Sequence, residues 1–319
     1  MIKSFLVAIA LALVPIHVGA QAYPSKPVRI VLPFGPGGIA DITTRTLAPK
    51  LGEGLGQQVI VENLPGAGGI RAAETVARAE PDGHTLLLLT NGNAVSQALF
   101  KSLPYDPVND FAMISTVGYF SMVIVTRPES PAKTLQEAIA MAKANPGKMN
   151  IGSIIPGGTQ HLAAELFRST AGIDALVVPH KTTGEVIIAA RNGNVDLAVD
   201  FIAPLLSSIK SGALRPLAVT AAKRFPGLPD VPTAIEAGVA GYDVASWNAM
   251  AAPAKTPRAV IDRVNQELRK AIASPEVQKR FGELGVDGRT STPEQLREFF
   301  VAESQRWARV VEAAKIPKQ

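Results

Sequence analysis

Two glycine-rich turns carry the residues best placed to do chemistry. The first reads Pro33-Phe34-Gly35-Pro36-Gly37-Gly38-Ile39-Ala40-Asp41, and the second reads Pro156-Gly157-Gly158-Thr159-Gln160-His161. The first follows the β-branched run 28–32 and the second the short strand 149–151, and each precedes a stretch with helical periodicity, so each is a strand–turn–helix junction. Glycines let backbone N–H groups approach a ligand closely. The first N–H groups of a helix have no intrahelical acceptor, and the helix dipole adds roughly half a positive charge there. Such a junction binds an anion without Lys or Arg. Two of them facing each other across a cleft suit a carboxylate. A plain tight turn is the competing explanation for either one alone.

Other residues flank these junctions. Asp41 either stabilises the helix start, orients the loop, or binds a hydroxyl or amino group of a ligand. Asn91 and Asn93 stand where the apolar strand 85–89 ends. Asp200, followed by Phe201, ends another strand, as a pocket residue or as a strand-end cap. His180 and Thr183 stand at a third strand end. His84, in Pro81-Asp82-Gly83-His84, is expected at the surface. Trp247 is core or a wall of the cleft, with core preferred, and Trp307 is packing.

Several chemistries find no support. There is no Cys, no H-E-x-x-H or multi-histidine cluster, no G-x-S-x-G elbow and no Walker A pattern, so no metal, cofactor or catalytic residue is expected. Arg71 occupies a position where a dinucleotide fingerprint needs glycine. The chain is read as no enzyme.

The elements around these residues alternate strand and helix, which predicts an open α/β sheet with ligands at the carboxyl ends of its strands. Turns 33–41, 63–69 and 90–93 are the candidates in the first unit. Strands are expected at 28–32, 58–62, 85–89, 122–125, 149–151, 176–178, 195–199 and 215–220. Helices are expected over 70–78, from Thr134, over 160–170, over 257–273 and over 293–314. At 319 residues, 47% hydrophobic, the chain is long enough for two domains. The pattern predicts two discontinuous α/β lobes, each a mixed, mostly parallel sheet flanked by helices. The first lobe spans 23–124 and 245–319, and the second 125–244.

The first 22 residues read as a cleaved export signal. Lys3 precedes an apolar run from Phe5 to Val14, and Ala20-Gln21-Ala22 offers a cleavage site. The run is about half the length of a spanning helix. Without Cys there is no lipid anchor, so a periplasmic, unanchored protein is expected. Removing Lys3 leaves 31 basic against 27 acidic residues, or +4, with no basic run. Nucleic acid is therefore not an expected partner.

The chain resembles the substrate-binding proteins of tripartite tricarboxylate transporters, also called Bug receptors. The resemblance rests on Tyr-Pro-Ser-Lys-Pro at 23–27, the loop 33–41, Val-Glu-Asn-Leu-Pro-Gly-Ala-Gly-Gly at 61–69 and Pro-Asp-Gly-His-Thr-Leu-Leu at 81–87. It continues through Leu-Pro-Tyr-Asp-Pro at 103–107, His-Leu-Ala-Ala-Glu-Leu-Phe at 161–167, 217–224 and Leu-Pro-Asp-Val-Pro-Thr at 228–233. It implies a Venus-flytrap receptor of the type II periplasmic binding class, with two crossover strands. It further implies a carboxylate held by loop N–H groups at Gly37 to Asp41 and Gly157 to His161, transporter membrane components as partners, and a monomer. A receptor feeding a sensor is the alternative, and a secreted enzyme a remote one. Ile154-Ile155-Pro156, His180-Lys181-Thr182 and Phe201 depart from the usual polar residues of the family. They point to a more apolar cleft, for a monocarboxylate or an aromatic or longer-chain carboxylate rather than citrate.

Overall fold

Buried β-branched runs and amphipathic helices alternate along the whole chain. The structure is a computed structural model that describes residues 23–154 and 158–319. The expected export signal 1–22 lies outside the described residues, as do Ile155, Pro156 and Gly157.

The first unit runs β1 (Val28–Leu32), α1 (Ile39–Leu55), β2 (Val59–Asn63), a 3-10 turn (Ala67–Gly69), α2 (Ile70–Ala77), β3 (Thr85–Thr90) and α3 (Asn91–Leu99). β1 pairs in parallel with both β2 and β3. α3 is a helix that the sequence reading left as a strand end. Thr90 and Asn93 make it: Asn93 Oδ1 accepts from the Thr90 N–H at 2.9 Å, closing a capping box.

β4 (Phe111–Thr126) follows and is far longer than the expected 122–125 strand. The second unit then runs α4 (Leu135–Ala144), β5 (Met149–Ile154), α5 (Thr159–Thr170), β6 (Ala175–His180), α6 (Thr183–Asn192), β7 (Leu197–Phe201), α7 (Ile202–Lys210) and β8 (Arg215–Val219). The Thr134–Glu137 capping box starts α4 as expected. The chain returns through β9 (Ala245–Pro253) and ends with α8 (Arg258–Ala273), α9 (Pro275–Glu283), β10 (Val286–Asp287) and α10 (Pro293–Ala313).

One continuous sheet results, in the order β2-β1-β3-β9-β4-β7-β5-β6, with β10 and β8 also on β4. Its outer strands are parallel, and its antiparallel pairs involve the crossover strands β4 and β9. β4 changes partner along its length. Residues 111–121 pair with β9, while Met122–Val125 pair with β7. The strand therefore passes from one α/β unit into the other without a break.

Each unit is packed on both faces. Leu47, Leu51, Val264 and Phe281 cover one side of the first sheet half, and Val76, Trp247 and Phe300 cover the other. Leu162, Phe167 and Tyr242 fill one side of the second half, and Val186, Leu205 and Val219 the other. Each fully buried large side chain contributes about 1.5–3 kcal/mol by leaving water. α10 joins the two halves. Its Leu296 and Phe300 pack in the first, whereas Trp307, Val310 and Val311 pack with the second.

His84 departs from expectation. It is only 9% exposed, because Tyr23 packs edge-on to its ring at 5.1 Å and the Ser25 N–H donates to its Nε2. Trp247 is core, at 1% exposure, and Trp307 is fully buried.

Candidate ligand-binding cleft

The β1–α1 loop shows how a helix start is prepared for an anion. Gly37 has φ +85°, a conformation that side chains resist. Gly38 then caps α1 in extended geometry, φ −75° and ψ 166°, with no side chain closing the helix end. The first intrahelical bond runs from the Ile42 N–H to Gly38 O. The N–H groups of Ile39, Ala40 and Asp41 are left without intrahelical acceptors.

Asp41 holds this loop rather than pointing away from it. Its Oδ2 accepts from the Gly37 N–H at 2.9 Å, and its Oδ1 from Arg45 Nε and Asn63 Nδ2, each at 2.9 Å. Asn63 also donates to Phe34 O at 3.0 Å, which ties the loop to the end of β2. Burial alone would raise the Asp41 pKa, but the hydrogen bonds from Gly37, Arg45 and Asn63 hold it below the usual carboxylate range. Phe34, at the tip of the loop, is 43% exposed.

α5 starts in the same way. Gly158 caps it at φ −67° and ψ 155°, again with no side-chain cap, and Leu162 N–H donates to Gly158 O at 3.0 Å. Thr159 Oγ1 accepts from Asn91 Nδ2 at 3.2 Å, a bond that joins the start of α5 to the start of α3. Asn93 is fully buried in its capping role, and its side-chain nitrogen lies near Gly69. Gly157, expected beside Gly158, is outside the described residues.

Asp200 is fully buried at the end of β7. Its Oδ1 accepts from Gln160 Nε2 at 2.9 Å and from the Phe201 N–H at 2.7 Å, while its Oδ2 has no partner. Burial pushes its pKa up, against the hydrogen bonds from Gln160 and Phe201. Phe201 caps α7, packs edge-on to Phe120 at 6.4 Å and lies against the cores of both halves. Ile39 fringes one of those same cores.

The two histidines are held by Ser153. His161 Nδ1 is 3.2 Å from Ser153 Oγ, and its Nε2 lies 4.0 Å from Glu165. Burial lowers the His161 pKa, against the pull of Glu165. His180 Nδ1 lies 3.1 Å from Val178 O and 3.2 Å from Ser153 O, two acceptors, so Nδ1 carries a proton.

The structure thus joins Asn91 to Thr159 and Gln160 to Asp200 through direct bonds. Sequence reasoning missed Arg45, Asn63 and Ser153. Arg45 was readable, four residues after Asp41 on one helix face. Asn63 and Ser153 carry no local signal. A further buried amide, Asn248 on β9, lies opposite Thr90 with its nitrogen unpartnered. Among the described residues no group of His, Asp and Glu could hold a metal ion, and no helix is long and apolar enough to cross a membrane.

Two α/β units on shared crossover strands, with glycine-capped helix starts at their strand ends, define a solute-binding receptor of the type II periplasmic binding fold. The model of the tripartite tricarboxylate transporter family receptors matches residues 43–316, and the chain belongs to that family. It is 35% identical to protein BugT of Bordetella pertussis over 305 residues, 95% of this chain and 94% of that one. The solved structure of the periplasmic binding protein BugD is 34% identical, with a TM-score of 0.78, covering 93% of this chain and 100% of that one. The structure of R. palustris Rpa4515 with adipate is 30% identical, with a TM-score of 0.81 and the same coverage. Members of this family are binding proteins, not enzymes.

Proposed function

We propose that this receptor closes its two lobes on a small carboxylate outside the cytoplasm and delivers it to the membrane components of a tripartite tricarboxylate-type transporter. The observation that carries the reading is the matched pair of glycine caps, Gly38 and Gly158, in nearly the same backbone conformation. Each starts a helix at a strand end of its own unit. Together they supply about one unit of positive charge without a buried cation. The lobes are 23–124 with 245–319, and 125–244. The change of partner along β4 after Ser121 and the start of β9 at Ala245 support those crossings.

The ligand is a mono- or dicarboxylate with an aromatic or longer apolar body. Phe34 and Ile154, each four residues before a glycine cap, support this, as does adipate in a family relative. The test is a thermal-shift screen of carboxylates, since a ligand specific to the folded state raises its stability. Adipate, benzoate or a longer monocarboxylate should raise Tm more than citrate. A response to citrate alone would reject the apolar-bodied ligand.

A further inference from the structure

The crossover strands have a second face. Alternation along β4 turns Phe120 toward Phe201, so Tyr119 and Ser121 face the opposite way. Tyr119 and Ser121, with Ala245 and Trp247 of β9, floor a pocket of about 690 Å³. One wall is the segment 221–227, between β8 and β9. The other is formed by 285–289 and by Phe299, Glu303 and Arg306 of α10. None of the residues assigned to the carboxylate cleft lines it. Its volume falls in the range of small-molecule sites.

The lining combines flat apolar surface with cations. Tyr119, Phe225 and Phe299 supply the rings. The Arg289 guanidinium stacks on Tyr119, 5.5 Å from its centroid. Lys223, Arg224, Arg289 and Arg306 line it together with three acids, Asp243, Asp287 and Glu303, and Arg224 is held by Glu236 at 2.8 Å. Glu303 is already committed: its Oε2 accepts from the indoles of Trp247 and Trp307 at 3.1 and 2.9 Å, and its Oε1 from Arg306. Asp287 pairs with Arg289, but both are about half exposed, and an incoming anion can replace such a pair.

We propose that this pocket is a second ligand site, separate from the cleft, that takes a small anion with a flat apolar body. The probe is 2-naphthalenesulfonate, titrated by calorimetry into the wild type, Gly38→Trp, Lys223→Ala and the double variant Lys223→Ala/Arg289→Ala. Both cations are on the surface, and an unchanged Tm shows that the variants are folded. The wild type should bind one equivalent. Gly38→Trp should keep that affinity, Lys223→Ala should weaken it, and the double variant should weaken it about tenfold or more. Undiminished affinity in the double variant, loss of binding in Gly38→Trp, or no binding by the wild type would each overturn the proposal.

Discussion

Asp41 shows how a single residue can decide what a loop offers a ligand. Its carboxylate takes the Gly37 N–H, so that donor is not left for a ligand. Asp41→Ala should cost about 1.5–3 kcal/mol, the range for a hydrogen bond to a charged group, and should loosen ligand binding as well. Because the folded pKa lies below the unfolded one, this stability is present above about pH 4 and is lost as pH falls through the folded value. Urea unfolding of wild type and variant at pH 7 and pH 3 checks it, with the gap narrowing at pH 3. Asp200 has the opposite sign. Its folded pKa is raised, so its contribution is present below about pH 4 and is lost as pH rises through the folded value. Asp200→Asn, which can still accept from Gln160 and Phe201, should therefore melt higher than wild type at pH 8, with a smaller difference at pH 4. An equal loss of Tm at both pH values would contradict this. Sequence spacing left three roles open for Asp41; only the fold, by bringing Asn63 from β2 and Gly37 from the loop, shows which contacts it makes.

At the scale of elements, short-range chemistry was legible and long-range pairing was not. The Thr134 capping box, the Pro293 helix start behind Thr292 and the strand–turn–helix junctions at 33–41 and 158–161 could be read because their signals lie within a few residues. β9 was missed because Ala249, Ala251 and Ala252 carry little strand preference; the flanking β3 and β4 impose it. α7 was missed because it follows β7 with no turn between Phe201 and Ile202. Glu303 is another case. Nothing near it in sequence shows that its carboxylate joins Trp247 of β9 to Trp307 of α10. Glu303→Ala strands two buried indole N–H groups and should cost about 2–5 kcal/mol. Thermal unfolding should register this, whereas a truncation at exposed Glu312 should change Tm little.

The molecule as a whole joins two α/β units through strands that run from one into the other. The two units and the crossing between them were legible from the alternation of strands and helices; that β4 carries a single continuous sheet through both was not, because strand pairing is long-range. Tyr23, the residue after the expected cleavage site, is anchored by its hydroxyl to Gly83 O at 2.8 Å and by its ring to His84. Export with cleavage after Ala22 should therefore leave a folded chain beginning at Tyr23, and mass spectrometry of the periplasmic protein should find that terminus. The central claim is capture of a carboxylate between two glycine-capped helix starts. Gly38 has ordinary φ and open space beyond its Cα, so Gly38→Trp fills the site without straining the fold. Calorimetric titration of adipate and benzoate into wild type and Gly38→Trp tests the claim most directly. The account predicts saturable one-to-one binding of at least one of the two acids to the wild type, and none to a Gly38→Trp protein of unchanged Tm. Equal affinity in both proteins would contradict it.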